Sequence, residues 1–464
     1  MTAPDPDGPA EAEAEAGAEG EAPTAAADSR RPAGRSRFLP IAVVLIALLA
    51  GSALFVSGFA LGSLKSSTPG TPVDEQTAFQ PFWDAYHSIT RDYAGEPVER
   101  KRLIEGAIRG MIAALDDPFS AYLSPDDFRQ SLLGLSGQFE GIGATIETRR
   151  LTGSGPCPIL GEGCALVVVE PLEGAPAARA GLLAGDRISA VDGTTVDGQT
   201  AEQALARVRG RKGTTVTLQI VRSGAAAPFD LPIVRDLIIQ HEVQAKTLAG
   251  GAVGYVRLAG FSDRAADEFG RAVAEHVTAG RKKLILDLRG NPGGLVTDAQ
   301  RVLSQFVPAG TTIFYQQDAT GARTPTIALA GGAATDPTIE LAVLIDGGSA
   351  SASEIVAGAL QDLGRARLVG TKSYGKGTIQ VWLQLADDTG GYRLTVDRWL
   401  TPNGRWIHKV GLDPDVAVVA SGAAPGTDPI LDRALVELGV PPSASTPARD
   451  DGRMVTLALA GSFD

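Results

Sequence analysis

The sequence predicts an α/β fold for the second half of the chain, in which strands alternate with helices. The apolar run Leu341–Ile345 is typical of a buried strand, and the apolar helical stretch Ile355–Leu360 follows it. A second apolar run, Leu284–Leu288, leads into a glycine-rich turn. The chain has 464 residues, 44% of them hydrophobic, which suffices for two or three domains with substantial cores.

Residues 1–37 are predicted to form a disordered acidic tail with a basic flank. Residues 1–28 carry eight acidic side chains, no basic ones and many Ala, Gly and Pro residues, a composition that cannot fill a core. Four arginines follow, namely Arg30, Arg31, Arg35 and Arg37. The whole chain has a net charge of −12, and no basic stripe interleaved with aromatic residues follows residue 64. Both observations argue against a nucleic acid partner.

Residues 38–64 are predicted to form one transmembrane helix. These 27 residues are uncharged, and at about 1.5 Å per residue a helix of this length exceeds the roughly 30 Å hydrocarbon core of a bilayer. The positive-inside rule then places the arginines in the cytoplasm. The prediction is a single-pass protein of the cell membrane whose larger part is extracytoplasmic. A cleavable signal peptide is the alternative, but its apolar region usually has only about 7 to 15 residues.

Residues 65–74 are interpreted as a linker and residues 75–136 as an N-terminal helical region. Apolar side chains recur at helical spacing in two predicted helices; they are Phe79, Phe82, Trp83 and Tyr86 in the first, and Leu103, Ile104, Ala107, Ile108 and Met111 in the second. Such stripes are usually packing faces. At the other end, residues 421–464 turn small and polar and are interpreted as a C-terminal segment.

A second module precedes the α/β part, at about residues 137–224. Its segments Gly174–Leu182, Gly185–Ile188 and Val191–Gly193 follow a glycine-rich loop, and together they resemble a PDZ domain of the bacterial protease type. The resemblance implies a small, partly open β barrel with two helices, which binds a peptide C-terminus by adding it as a strand. Loop amides then receive the terminal carboxylate. The predicted peptide-binding loop consists of Phe139, Glu140, Gly141, Ile142 and Gly143.

The two cysteines of the chain, Cys157 and Cys164, lie in a Gly/Pro-rich insertion within this module. In an oxidising compartment they could form a local disulfide. Two free thiols are the alternative.

Ser351 lies in the serine-rich turn Gly348–Glu354, shortly after a predicted strand. Ser351 and Glu354 match the S-x-x-E capping box of a helix that begins at Ala352. A helix N-terminus also offers free backbone N–H groups and a partial positive charge, both of which stabilise an oxyanion. A structural cap and a catalytic nucleophile are therefore compatible at this position.

Lys376 lies 25 residues after Ser351, with a glycine on each side. A serine hydroxyl needs a neighbouring group to take its proton. A lysine can do this only when neutral, so burial must depress its pKa from about 10.4. Gln380 follows on a predicted strand, where positions four apart share a face, and its amide could hydrogen-bond the lysine nitrogen without adding charge. A solvated loop lysine and an exposed strand glutamine are the alternatives.

Three motifs in order, Leu284–Gly294, Gly348–Ile355 and Gly375–Gln380, are similar to the signature of the carboxy-terminal processing peptidases, also called tail-specific proteases. The similarity covers roughly residues 75–420. It implies an αβ sandwich built on β-β-α units, with the peptidase core at residues 225–420 and the PDZ-like domain inserted before it.

The same resemblance implies a role for each motif residue. Ser351 is the nucleophile, Lys376 is the general base, and Gln380 is the third member, which orients the lysine. The implied reaction runs through an acyl-enzyme that an activated water hydrolyses.

The glycine-rich turn Arg289–Gly294 lacks the G-x-x-x-x-G-K-[ST] order of a phosphate loop and the spaced glycines of a dinucleotide fingerprint. A loop whose glycine amides face the substrate fits it better. The resemblance implies that the amide of Gly293 or Gly294 joins the Ala352 amide as the oxyanion hole, and the sequence leaves both glycines open.

Other hydrolytic arrangements have little support. The four histidines, His87, His241, His276 and His408, lie away from the serine-rich turn in sequence, although serine triads are spatial. The orders G-x-S-x-G around Ser351 and H-E-x-x-H anywhere are absent. Two cysteines cannot form a cysteine-rich zinc site unaided. We therefore predict neither a metal nor another cofactor.

The predicted function is that of a serine endopeptidase that recognises unstructured C-terminal tails through its PDZ domain. Its expected partners are protein or peptide substrates with exposed tails, the membrane, and a second copy or a regulatory partner. A membrane-anchored binding protein that captures tails without cutting is the alternative, but such a protein would be free to lose Ser351, Lys376 or Gln380. An esterase or amidase would need the nucleophile but no PDZ domain.

Overall fold

The computed structural model describes residue 72 and residues 75–151, 157–386, 388–418 and 427–441. The predicted acidic tail, transmembrane segment and most of the C-terminal segment lie outside these residues. None of the described helices is long and apolar enough to cross a membrane. The membrane anchor and the extracytoplasmic location therefore stay predictions from the sequence.

The chain divides into two compact units, one ending at Ala94 and the other beginning at Gly95. In the first unit the structure describes helix α1, Gln76–Asp92, whose aromatic stripe is not buried. The second unit begins with α2, Arg100–Ala113, which also buries none of its residues. The two stripes thus differ from the packing faces that their spacing predicts.

A short strand and a capped helix follow in the second unit. They are β1, Ala121–Leu123, and α3, Pro125–Leu135. Ser124 caps α3, since its hydroxyl accepts the N–H of Asp127 at 3.2 Å, and proline occupies the first helical position. β1 pairs with a strand far along the chain, at residues 391–393, and so ties this segment to the α/β part.

The α/β part is built on a six-stranded sheet with the order β10-β11-β12-β15-β16-β19, in which all neighbours are parallel except β10 and β11. Its strands are Val243–Leu248, Val253–Leu258, Lys283–Asp287, Glu340–Ile345, Arg367–Gly370 and Val416–Ala417. Its central strands are buried on both faces, as in sheets covered by helices. The mixed α/β fold predicted from the alternation of strands and helices is confirmed.

Helices cover the two faces of this sheet. One face packs against α6, Ala265–Thr278, α7, Val296–Leu303, and α8, Ala352–Asp362. The other face packs against α9, Pro429–Glu437. Along β12 and β15, successive side chains alternate between the two cores, as the period of a strand requires.

A second, antiparallel sheet has the order β1-β18-β13-β14, with β17 also paired to β18. Its longer strands are β13, Thr312–Gln317, β14, Arg323–Ile327, β17, Thr378–Gln384, and β18, Gly391–Leu400. The register of β17 on β18 shifts between Ile379 and Gln380, which marks a β-bulge.

The β-rich module forms its own sheet, β3-β4-β5-β7-β8 with β6 beside β5, around a separate core. Its strands are Ala144–Arg150, Cys164–Pro171, Arg187–Val191, Thr194–Thr195, Thr215–Val221 and Phe229–Val234, and its helices are α4, Pro176–Arg179, and α5, Ala201–Val208. This sheet runs to Val234, beyond the boundary at residue 224 expected from the sequence. Cys157 and Cys164 are joined by a disulfide at the edge of the module.

A two-stranded stem connects this module to the rest of the chain. β2, Gln138–Gly141, leads into the module, and β9, Asp236–Ile239, leads out of it. The two strands are antiparallel neighbours, and Gly141 lies opposite Asp236 at the end nearest the module.

Candidate active site

Ser351 lies at the sharp connection between β15 and α8. Its backbone has φ +56° and ψ −116°, in the left-handed region that serine rarely adopts. Such strain costs on the order of 1–3 kcal/mol and persists only where the surroundings hold it. The residue is 8% exposed. Ser351 is thus held in a strained backbone conformation at the N-terminus of a buried helix.

Glu354 holds that turn through a fully buried carboxylate, at 0% exposure. Its Oε2 accepts the N–H groups of Ser351 at 2.9 Å and Lys376 at 2.8 Å. Its Oε1 accepts the Ser373 hydroxyl at 2.6 Å and the Gly375 N–H at 2.7 Å. Burial raises the pKa of the Glu354 carboxyl, and the four donors oppose that rise. The backbones of the predicted nucleophile and base therefore meet at one oxygen atom.

Lys376 is buried beside the ring of Phe119, with its Nζ 5.0 Å from the ring centroid. Burial lowers the pKa of Lys376 to about 8, and the nearby charge of Arg393 acts in the same direction. The charges of Asp117 and Glu354 act in the opposite direction. A neutral amine at this position is therefore accessible near neutral pH, as a general base requires.

Aromatic side chains fix the backbone that follows this amine. The indole N–H of Trp399 donates to the Lys376 carbonyl and that of Trp406 donates to the Gly377 carbonyl, both at 2.9 Å. The Nδ1 of His408 accepts the Gly377 N–H at 3.3 Å. A Cβ at Gly377 would lie 2.8 Å from the backbone nitrogen of His408, so this close approach requires glycine.

Gln380 is not hydrogen-bonded to the predicted base in this structure. Its amide donates to the hydroxyls of Thr378 at 2.9 Å and Thr395 at 3.1 Å. The shared face expected from the sequence needs a regular strand from Lys376, but β17 begins only at Thr378 and the bulge lies just before Gln380. Within the described residues, the Lys376 amine also makes no hydrogen bond to Ser351.

The segment before β1 borders the same lysine, which its sequence does not predict. The Asp117 carboxylate accepts the Ser120 hydroxyl at 2.6 Å, and that hydroxyl accepts the Thr395 N–H at 3.0 Å. Arg393 donates to the Phe119 carbonyl at 2.8 Å. No periodic pattern marks this segment, and only the pairing of β1 with β18 brings it to the site.

The glycine-rich turn packs directly against Ser351. A Cβ at Gly293 would lie 2.7 Å from the Ser351 Cβ and 2.9 Å from the Ala352 nitrogen, so only glycine fits there. The Gly293 N–H donates to the Asn291 side chain at 2.8 Å. In the described part of the chain, the N–H groups of Gly294 and Ala352 make no hydrogen bond. Two unpaired amides thus flank the turn at Ser351.

Buried polar contacts anchor this turn. Arg289 forms ion pairs with Asp287, whose other partner is the Tyr255 hydroxyl at 2.6 Å, and with Asp428 at the start of α9. These carboxylates raise the pKa of Arg289 against the effect of burial. The Asn291 carbonyl accepts the Ser353 hydroxyl at 2.9 Å. The turn therefore has little freedom to move relative to α8.

The predicted peptide-binding loop is divided between two elements. Phe139, Glu140 and Gly141 belong to β2, and the Glu140 carboxylate pairs with Arg129 of α3. Ile142 and Gly143 form the turn into the module, and Gly143 has φ +70°. The carbonyls of this turn are paired, whereas the N–H groups of Ile142 and Gly143 donate no hydrogen bond to any described residue. Two adjacent free amides can bind a carboxylate.

Profiles of known families match three parts of this chain. Peptidase family S41 matches residues 252–418, and a PDZ domain matches residues 167–222. The N-terminal domain of the activating protease CtpB matches residues 62–126, a range that includes the segment beside Lys376.

Whole proteins match over most of the chain. The carboxy-terminal processing protease CtpA of Bacillus subtilis (strain 168) is 35% identical over 378 residues, which are 81% of this chain and 76% of that protein. The carboxyl-terminal-processing protease of Synechocystis sp. is 36% identical over 349 residues, which are 75% of this chain and 77% of that protein.

Solved structures also match. The photosystem II D1 C-terminal processing protease is 31% identical with a TM-score of 0.44, covering 74% of this chain and 88% of that one. An S41 protease structure from Bacteroides fragilis is 17% identical with a TM-score of 0.50, covering 76% of this chain and 96% of that one, which is a likeness of fold alone.

Proposed function

This chain belongs to the carboxy-terminal processing proteases of peptidase family S41, and on that premise we propose that it cleaves proteins near unstructured C-terminal tails with Ser351 as nucleophile and Lys376 as general base. The chain is a serine-type peptidase with a PDZ domain. The observation that carries the proposed mechanism is that Lys376 is buried, has a pKa lowered to about 8, and shares one carboxylate oxygen with Ser351.

The proposed reaction passes two protons in turn through the lysine, first from Ser351 to the leaving amine and then from a water to the serine oxygen. With a pKa of about 8, about a tenth of the Lys376 side chains are neutral at pH 7. The neutral amine takes the Ser351 proton as Oγ attacks the carbonyl carbon, and the ammonium returns it to the leaving amine. A water that passes its proton to Lys376 then attacks the acyl-enzyme, which releases the acyl product and restores the hydroxyl.

In the proposed reaction the Lys376 amine moves from the ring of Phe119 to the Ser351 hydroxyl, with which it shares no described hydrogen bond. The aromatic face favours the charged form of the amine, so this position suits a resting enzyme. The backbones of Lys376 and Ser351 are already held together by Glu354, and a rotation of the lysine side chain is the motion that remains. Gln380 then orients the neutral amine by accepting one of its N–H groups at Oε1, while the Gln380 amide keeps its two threonine partners and the amine lone pair stays free for the Ser351 proton.

The proposed oxyanion hole consists of the N–H groups of Ala352 and Gly294. Ala352 is the first residue of α8, where the helix leaves its N–H unpaired. The Gly293 N–H is engaged with Asn291, which favours Gly294 as the second donor. Gly293 instead supplies the close contact with Ser351 that a larger residue would prevent.

Replacing Arg393 by glutamine is expected to shift the pH dependence of cleavage. The Arg393 charge lowers the pKa of Lys376, so its removal raises that pKa and moves the acid limb of kcat/KM to higher pH, by about half a unit to one unit. Steady-state cleavage of a short peptide from pH 6 to 10 measures the shift. Arg405→Gln, at an exposed arginine paired with Asp362, is the matched control. An unchanged acid limb in Arg393→Gln would argue against Lys376 as the titrating base.

The proposed recognition of tails rests on the turn at Ile142 and Gly143. Its two free N–H groups suit a terminal carboxylate, and the left-handed conformation of Gly143 helps to direct them into one concavity. A Cβ at Gly143 would lie 2.4 Å from the Cβ of Ala175, so the turn depends on glycine.

Amidation of a substrate tail is expected to lower kcat/KM by about 10- to 100-fold, because hydrogen bonds to a charged carboxylate are lost. The substrate is a disordered protein with an apolar C-terminal tail, made with a free or an amidated terminus. Cleavage is followed by mass spectrometry. Equal cleavage of the two forms would contradict recognition of the terminal carboxylate.

A module-free variant separates recognition from bond cleavage. Because Gly141 and Asp236 lie opposite each other, a two-residue Asn-Gly turn can join them and close β2 and β9 into a hairpin. This variant should cleave the free and amidated substrates at the same rate. Residues 142–235 are the segment to remove, since a cut at residue 224 would separate β8 from β7.

A further inference from the structure

Glu354 accepts more hydrogen bonds than a helix cap requires. In a capping box the glutamate accepts one backbone N–H, that of the N-cap residue, which here is Ser351 at 2.9 Å. The other three donors come from Ser373, Gly375 and Lys376, in the loop between β16 and β17. Helix capping does not explain these three contacts, which join the start of α8 to a loop 19 to 22 residues away.

The two contacts at Oε2 join the backbones of Ser351 and Lys376. Ser351 and Lys376 belong to separate elements, and no described hydrogen bond links their side chains. Both of their N–H groups donate to the same oxygen, at 2.9 Å and 2.8 Å. One atom of Glu354 therefore joins these two backbones directly, beside the neighbouring bond from the Tyr374 N–H to the Ser349 carbonyl at 3.0 Å.

The two contacts at Oε1 support the first pair. The Ser373 hydroxyl donates to Oε1 at 2.6 Å and accepts the Leu412 N–H at 2.7 Å, so the network continues into the loop after His408. Four donors at 0% exposure require an acceptor-only group with two oxygens. Glutamine, the uncharged side chain of the same size, has only one acceptor oxygen.

We propose that Glu354 is a positioning residue of this peptidase, whose carboxylate holds the backbones of the nucleophile and the base in register. This inference rests on the proposed function, because it needs Ser351 and Lys376 to be the reacting pair. Glu354 is proposed to set the spacing of the two residues. The side chains of Ser351 and Lys376 are the groups that contact the substrate.

Glu354→Gln is expected to lower kcat by about 10- to 100-fold with KM within about twofold, since a small misplacement of reacting groups is costly. The negative charge of Glu354 also favours protonated Lys376. The charge of Asp117 acts in the same direction and that of Arg393 in the opposite one. Removal of the Glu354 charge should move the acid limb of kcat/KM to lower pH by about half a unit to one unit. This shift reports the lost charge beside Lys376, whereas a purely structural role would reduce the folded fraction and leave kcat per folded molecule unchanged.

Two further variants make the test decisive. Ser373→Ala removes one donor and keeps the carboxylate, so it should lower kcat about tenfold without moving the acid limb to lower pH. Asp298→Asn changes another buried carboxylate, on α7, and should leave the limb and the kcat per folded molecule unchanged. Near-ultraviolet circular dichroism and thermal unfolding give the folded amount. If Glu354→Gln does not fold, Ser373→Ala alone decides.

Each outcome has one meaning. Wild-type kcat and an unmoved acid limb in folded Glu354→Gln, or wild-type kcat in Ser373→Ala, would overturn the inference and leave the Ser351 and Lys376 mechanism intact. Full cleavage by Lys376→Met would instead overturn the proposed function, and the role of Glu354 with it. Lowered kcat with the limb at lower pH in Glu354→Gln supports both.

Discussion

Replacing Ser351 by alanine is expected to lower kcat/KM for cleavage of a protein substrate by at least about 10³-fold, because the acyl-enzyme can no longer form. The residual rate should be the one that binding and oxyanion contacts supply alone. The fold should be retained, since the N–H of residue 351 keeps its bond to Glu354 and alanine preserves the helix start. Cleavage is measured with the disordered tail substrate at a fixed concentration of folded enzyme.

Neighbouring serines provide the controls for this experiment. The hydroxyls of Ser349 and Ser353 donate to the carbonyls of Leu288 and Asn291, so they support the glycine-rich turn. Ser349→Ala and Ser353→Ala should therefore reduce stability more than the chemical step. If either variant loses activity while Ser351→Ala keeps full activity, a different serine is the nucleophile. Binding of the tail by Ser351→Ala should be unchanged, because the PDZ domain is separate.

Replacing Lys376 by methionine is expected to lower kcat/KM by a similar factor, about 10³-fold or more. The proposed mechanism has no other group that takes the Ser351 proton. Methionine keeps the buried apolar stem beside Phe119 and removes the amine. The wild-type enzyme should show an acid limb in kcat/KM centred at about pH 8, which is the pKa that burial confers on Lys376. Activity should rise with pH through that value, since the neutral amine is the active form.

Lys372 is the matched control for this substitution. It lies four residues earlier, is half exposed and pairs with Asp413 at the surface. Lys372→Met should therefore keep wild-type kcat/KM and the same acid limb. Cleavage that survives Lys376→Met would turn attention to His408, the histidine whose ring nitrogen accepts the Gly377 N–H.

The sequence predicts the central sheet well. The apolar runs Leu284–Leu288 and Leu341–Ile345 correspond to the strands Lys283–Asp287 and Glu340–Ile345. Both runs are continuous because each strand is buried on two faces, and this pattern is visible without knowledge of any neighbour. The helix that begins at Ala352 was likewise predicted from its S-x-x-E start.

Contacts between distant segments could not be predicted in the same way. The role of Glu354 depends on a loop around residue 375 that the S-x-x-E pattern does not mention. Phe119 reaches Lys376 because β1 pairs with β18, more than 260 residues away. The expected hydrogen bond between Lys376 and Gln380 is not formed in this structure, because a bulge without a signature in this segment interrupts the strand period, and the role of Gln380 stays a prediction.

The pairing of β2 with β9 also bears on how such proteases diversify. The chain leaves the peptidase core and returns to it at two positions that face each other across one strand spacing. A recombination event at these positions replaces the whole PDZ domain and leaves every strand of the central sheet in place. Under the proposed function, exchange of this one domain would change which tails are recognised and leave the chemistry of Ser351 and Lys376 unaltered.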